Sequence, residues 1–153
     1  MDLRVLRSLA AAHETVLRRH SAVEQALDDL VDVAEKGEED ESSYTRVVSL
    51  LSALRRELLE HFDLEARSGI LSRAVEAAPR ISRRATRVAE EHDELASRLA
   101  EILERVLGAV VCPDSWAGIR EAYAEFSERL IAHERAEDAL LREAYLDDHG
   151  GGD

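Results

Sequence analysis

The stretch Leu58-Leu59-Glu60-His61-Phe62-Asp63-Leu64-Glu65 has an echo at Leu130-Ile131-Ala132-His133-Glu134-Arg135-Ala136-Glu137. In both, a leucine lies three residues before a histidine and a glutamate lies four residues after it. Residues three and four apart are neighbours on one face of an α-helix, so each stretch predicts a helix whose apolar face carries a His–Glu pair. The two pairs are 72 residues apart (133 − 61), and the same interval separates His20 from His92 (92 − 20). The chain thus carries a His…His-x-x-x-Glu unit twice, without insertion or deletion.

Working outward, four long amphipathic segments emerge. The first runs from about Leu3 to Glu35, with an apolar stripe through Leu6, Leu9, Leu17, Leu27 and Val31. Gly37 and the acidic run Glu38–Glu41 end it, and Ser42 or Ser43 is expected to cap the second. The second carries Val47, Leu51, Leu54 and Leu58 on one face and stops at Gly69. Residues 70 to 78 read as a connector with room for two helical turns. Pro79 suits the first turn of the third helix, which continues through Val88, Leu95, Leu99 and Val106. After Cys112-Pro113, Asp114 or Ser115 is expected to cap a fourth helix over roughly Trp116 to Tyr145. No segment alternates apolar and polar with period two, so no sheet is expected. The reading is all-α: an antiparallel up-down four-helix bundle over residues 1–146, with a flexible polar tail at 147–153.

Composition narrows the function. A net charge of −13 argues against nucleic acid and against an anionic membrane surface. Nothing resembles a secretory signal or a spanning helix, so a cytoplasmic protein is the expectation. One cysteine excludes an intrachain disulfide.

By periodicity His20, His61, His92 and His133 each lie on the core face of a different helix. With Glu65 and Glu137 they give four imidazoles and two carboxylates directed at one bundle core. Nitrogen and oxygen donors without thiolate suit iron, manganese or zinc. Burying that many polar groups without a partner costs several kcal/mol, which favours a metal over chance. Glu24, one turn after His20, is expected as a partly exposed glutamate at the stripe's edge. Packing is the expected role of His13 and of Tyr44, Tyr123 and Tyr145, and His149 is expected to be solvated.

The pattern His20…His61-Phe62-x-x-Glu65…Glu91-His92…His133-x-x-x-Glu137 resembles the hemerythrin family, in particular its HHE cation-binding domain. The resemblance implies a four-helix bundle around a non-haem di-iron centre. It implies that His20 and His61 bind one iron, His92 and His133 the other, and that Glu65 and Glu137 bridge them. Oxygen-carrying members have HxxxH on the third helix. Here the positions four from His92 are Val88 and Ala96. The set is therefore more similar to members linked to sensing, iron homeostasis or repair of iron centres, with an open coordination position. Ferritin-like bundles place glutamate three residues before histidine. Leu17, Leu58, Ala89 and Leu130 stand there instead. The expected function is binding or sensing of dioxygen or nitric oxide, or iron handling. The alternative is a di-iron oxidoreductase acting on peroxide or nitric oxide, or repairing iron–sulfur centres. A helical bundle with vestigial ligands is the third reading.

Overall fold

The computed structural model describes residues 3–38, 40–109 and 113–147. Five helices follow in order: α1 (Leu3–Glu35), α2 (Glu41–Ser68), α3 (Ile70–Ala77), α4 (Ser82–Gly108) and α5 (Pro113–Arg142). A 3-10 turn at Pro79–Ile81 leads into α4, and a π turn at Glu143–Asp147 continues α5. No strand occurs among the described residues.

The four long helices pack in the cyclic order α1, α2, α4, α5, each against its two neighbours. Cross-helix pairs fix their direction. Arg19 meets Glu57 and Arg120 meets Asp28, while Tyr44 donates from the start of α2 to the Val106 carbonyl at the end of α4. Every neighbour is antiparallel, as short connections require.

Local chemistry sets the ends. Gly37 and Gly69 hold φ of 71° and 66°. Only glycine takes this left-handed region without a Cβ penalty, so both close helices. The cap of α2 differs from the serine expected. Asp40 is the N-cap, accepting from the Ser42 N–H at 3.0 Å and the Ser43 hydroxyl at 2.7 Å. A carboxylate satisfies two donors there and also complements the positive helix end. Pro79 opens the 3-10 turn rather than α4 itself. Residues 110–112, which include Cys112, and the tail from 148 onward lie outside the described residues, as do the side chains of residues 113, 114, 146 and 147.

The apolar interior is two clusters, not one. The larger holds Val16, Leu27, Leu54, Phe62, Leu99, Trp116 and Phe126, among others. The smaller holds Ala74, Ile81, Ala85, Val88, Leu140 and Ala144. On α4 the smaller cluster ends at Val88 and the larger resumes at Leu95; on α5 the larger ends at Leu130 and the smaller begins at Leu140. A belt of polar side chains fills the gap between them.

Candidate metal centre

The belt is built by the periodicity that marked it. His61 and Glu65 are one turn apart on α2, 2% and 3% exposed. His133 and Glu137 repeat this on α5, at 0% and 7%. His92 enters from α4 between the two clusters.

Glu65 sits between two imidazoles. One oxygen lies 2.9 Å from His61 Nε2 and the other 3.0 Å from His92 Nε2. Glu137 lies 3.4 Å from His133 Nε2 and 3.9 Å from His92 Nε2. The far nitrogen of His133, Nδ1, faces Glu91 at 3.5 Å, within ion-pair distance but without hydrogen-bond alignment. Phe62 stacks flat on His92, centroids 4.1 Å apart and 7° from parallel.

Two further residues join the belt that sequence reasoning did not place there. His13 Nδ1 lies 2.8 Å from Glu134, and the other Glu134 oxygen lies 3.7 Å from His61 Nε2. Three groups of potential donors result, each with its ligand atoms within 4.8 Å of one another: His13, His61 and Glu134; His61, Glu65 and Glu137; His92, His133 and Glu137. The groups share His61 and Glu137, so they form one continuous constellation.

His20 stands apart. It is embedded in the larger cluster, one turn from Val16 and near Val23. Its Nδ1 is 2.7 Å from the Tyr123 hydroxyl and its Nε2 is 3.0 Å from Ser127 Oγ, with Glu24 at 3.4 Å. The Tyr123 hydroxyl donates to the His20 carbonyl, so its lone pair is free to accept from Nδ1–H. Burial pushes the His20 imidazole down, against the pull of Glu24, and pushes the Tyr123 hydroxyl up. A neutral, hydrogen-bonded histidine is the result.

The reason lies in helix register. Arg19 faces Glu57, so the α1 residue level with His61 is near Thr15. His20 overshoots by more than a turn, and His13 falls close by. In the second hairpin Glu91 faces His133, so His92 is nearly level. The 72-residue repeat preserves spacing along the chain, but the two hairpins turn with different registers. Shifted by that repeat, His13 and Glu134 correspond to Ala85 and Phe62, so the extra pair has no counterpart on the other side.

The donor set fits a metal. Both nitrogens of His61 and His133, both oxygens of Glu65, His92 Nε2, Glu134 Oε1 and Glu137 Oε2 are buried without a hydrogen-bond partner. Their contacts are short enough for ion pairs but not aligned for hydrogen bonds. Native interiors rarely leave so many polar atoms unsatisfied, and each costs about 1–3 kcal/mol. A cation where the lone pairs converge removes the penalty.

Charge coupling is correspondingly strong. Burial lowers the His61 imidazole, but Glu65 and the charges of Glu134 and Glu137 outweigh it and raise it. Burial also lowers His92, yet Glu137 and Glu65 raise it to about 9. Burial raises Glu137, but His133 and His92 hold it well below the usual carboxylate range. Glu134 is raised, chiefly by burial.

A pH dependence follows for the metal-free protein. His92 has an ordinary value of 6.5 and about 9 in the fold. Its protonated form therefore stabilises the fold fully below about pH 6.5, and that contribution disappears as pH rises through about 9. The melting temperature of chelator-treated protein should fall between about pH 7 and pH 9.5. Metal-loaded protein, with the imidazole held deprotonated, should lack this slope. Thermal scans across that range check both, and a flat profile without metal would contradict the coupling.

Comparison with curated proteins and with solved structures returned no match. The profile of the hemerythrin HHE cation binding domain matches residues 11–141, most of the chain and the whole of the belt. That match agrees with the antiparallel helical bundle and with a constellation of donors suited to a cation. The chain belongs to the hemerythrin HHE cation-binding family.

Proposed function

We propose that the protein is a non-haem di-iron protein of the hemerythrin-like type that binds or senses dioxygen or nitric oxide, or handles iron. The observation that supports it most is the set of buried, unpartnered imidazole and carboxylate atoms on three helices of the belt. In this reading His13, His61 and Glu134 hold one metal. His92 and His133 hold the other, and Glu65 and Glu137 lie between them. His20 is left out of the ligand set because both its ring nitrogens have other partners. Manganese or zinc would be accepted by the same donors, since availability decides among divalent metals. Iron would supply inner-sphere binding of a small gas molecule, in a belt that apolar clusters flank above and below.

Metal content separates the two α1 histidines. Protein reconstituted anaerobically should hold about two irons per chain, as a two-metal site requires. His13→Ala should lower this to about one, because it removes a ligand from one metal only. His20→Ala should leave it at about two. That variant should instead lose about 1–3 kcal/mol of stability, since Tyr123 and Ser127 lose their partner. Elemental analysis with urea unfolding gives both numbers. Loss of a metal from His20→Ala would return His20 to the ligand set, and no metal in the wild type would sink the proposal.

A further inference from the structure

Five of the seven proposed ligands, His13, His61, Glu65, Glu134 and Glu137, line one cavity of about 880 Å³. His92 and His133 are not among its lining residues. The constellation is therefore open from one side, at the metal position of His13 and His61.

The cavity is far larger than a diatomic gas needs. A water molecule occupies about 30 Å³ of liquid, and a diatomic is of similar size. Cavities of about 300–1,000 Å³ take organic molecules. The walls here are apolar: Leu6, Leu9 and Leu17 from α1 face Ile131 and Leu141 from α5. The rim carries two basic and two acidic exposed groups, Arg7 and Arg135 against Glu14 and Asp138. The rim therefore selects no charge.

The floor does. Two divalent cations bring four positive charges. Of the carboxylates that carry proposed ligand atoms, Glu65, Glu134 and Glu137 bring three negative ones; Glu91 is 30% exposed behind His133 and does not line the cavity. One positive charge remains uncompensated in a buried site, where it is expensive. A single anionic oxygen donor entering through the cavity would neutralise it, and hard cations prefer such donors.

We propose that this cavity binds monocarboxylates with an apolar chain, in the manner of a medium-chain fatty acid. The carboxylate would lie against His13, His61 and Glu134, on the cavity side of a metal held by them, and the chain lies against Leu6, Leu9, Ile131 and Leu141. The proposal rests on the metal-site reading above and adds the ligand class.

The test is calorimetric titration of manganese-loaded protein, which is redox-quiet, with acetate, butyrate and octanoate. Metal content is measured on the same sample. Each fully buried methylene should tighten binding about fourfold; with six more methylenes, of which a groove open on one side buries only part, octanoate should bind at least about a hundredfold tighter than acetate. Chelated protein should bind octanoate at least about tenfold more weakly, having lost the charge at the floor. Ile131→Trp, which fills the groove from α5, should keep its metal and lose the chain-length dependence. Leu6→Trp should do the same from α1. Metal-loaded protein that binds octanoate no better than acetate, or binds neither, overturns this inference while leaving the metal site intact. So does octanoate binding that is unaffected by chelation. A sample that takes up no metal overturns both together.

Discussion

Removing metal from the loaded protein should lower its melting temperature by about 8–16 °C. A ligand present at about a thousand times its dissociation constant stabilises the fold by about 4 kcal/mol. Each kcal/mol shifts the midpoint of a domain of this size by about 2–4 °C. The belt explains why the effect is large. The potential ligand atoms come from four helices, so the binding energy of a metal there would be available only when all four are in place. Without metal, the buried atoms of His61, Glu65 and His133 stand unsatisfied and weaken the fold they belong to. Differential scanning calorimetry before and after chelation measures the shift. A midpoint that does not move would mean that the belt is held by its own ion pairs.

The double variant His61→Leu/Glu65→Leu should lose the His13–His61 metal, and its metal-free form should outlast metal-free wild type by about 1–4 kcal/mol. Replacing a buried ion pair with apolar side chains of similar volume is often neutral or stabilising, because the pair's desolvation cost disappears. Both residues are 3% exposed or less, and His61 Nε2 touches Glu65 at 2.9 Å without a hydrogen bond. The variant would join the two apolar clusters across α2. Urea unfolding of both metal-free proteins tests this. A less stable double variant would show that the Glu65–His92 pair, which the variant also removes, outweighs the desolvation cost of the buried belt.

Much of this was legible in the chain. The stripe periodicity gave four long helices, and α1 begins and ends where the sequence places it. His61, Glu65, His92, His133 and Glu137 were marked by spacing within helices, which the α-helix fixes rigidly. What spacing cannot convey is the register between helices. That depends on how Gly37 and Asp40 turn the chain from α1 into α2, and a shift of one turn exchanges His13 for His20. The exact internal repeat made His20 the natural choice, because it treats the two hairpins as copies. Glu134 was hidden for a related reason. It follows His133 directly, and residues adjacent in a helix ordinarily point about 100° apart. Only the approach of His13 from α1 turns that direction into a shared one. Asp40 displaced the serines as cap because Ser43 donates its own hydroxyl to it.

The division of the interior into two unequal clusters has a consequence for how the molecule opens. Cooperative units in a protein follow contiguous packing, and small ones open first. The smaller cluster, with α3 and the end of α5, is tied to the larger across the belt. In metal-free protein that tie is a layer of buried, unpartnered polar groups, so backbone amides of α3 should exchange with solvent long before those around Trp116. Metal would make the two units one. The breathing of the short end would then loosen His92 and His133, the two proposed ligands that the cavity does not reach.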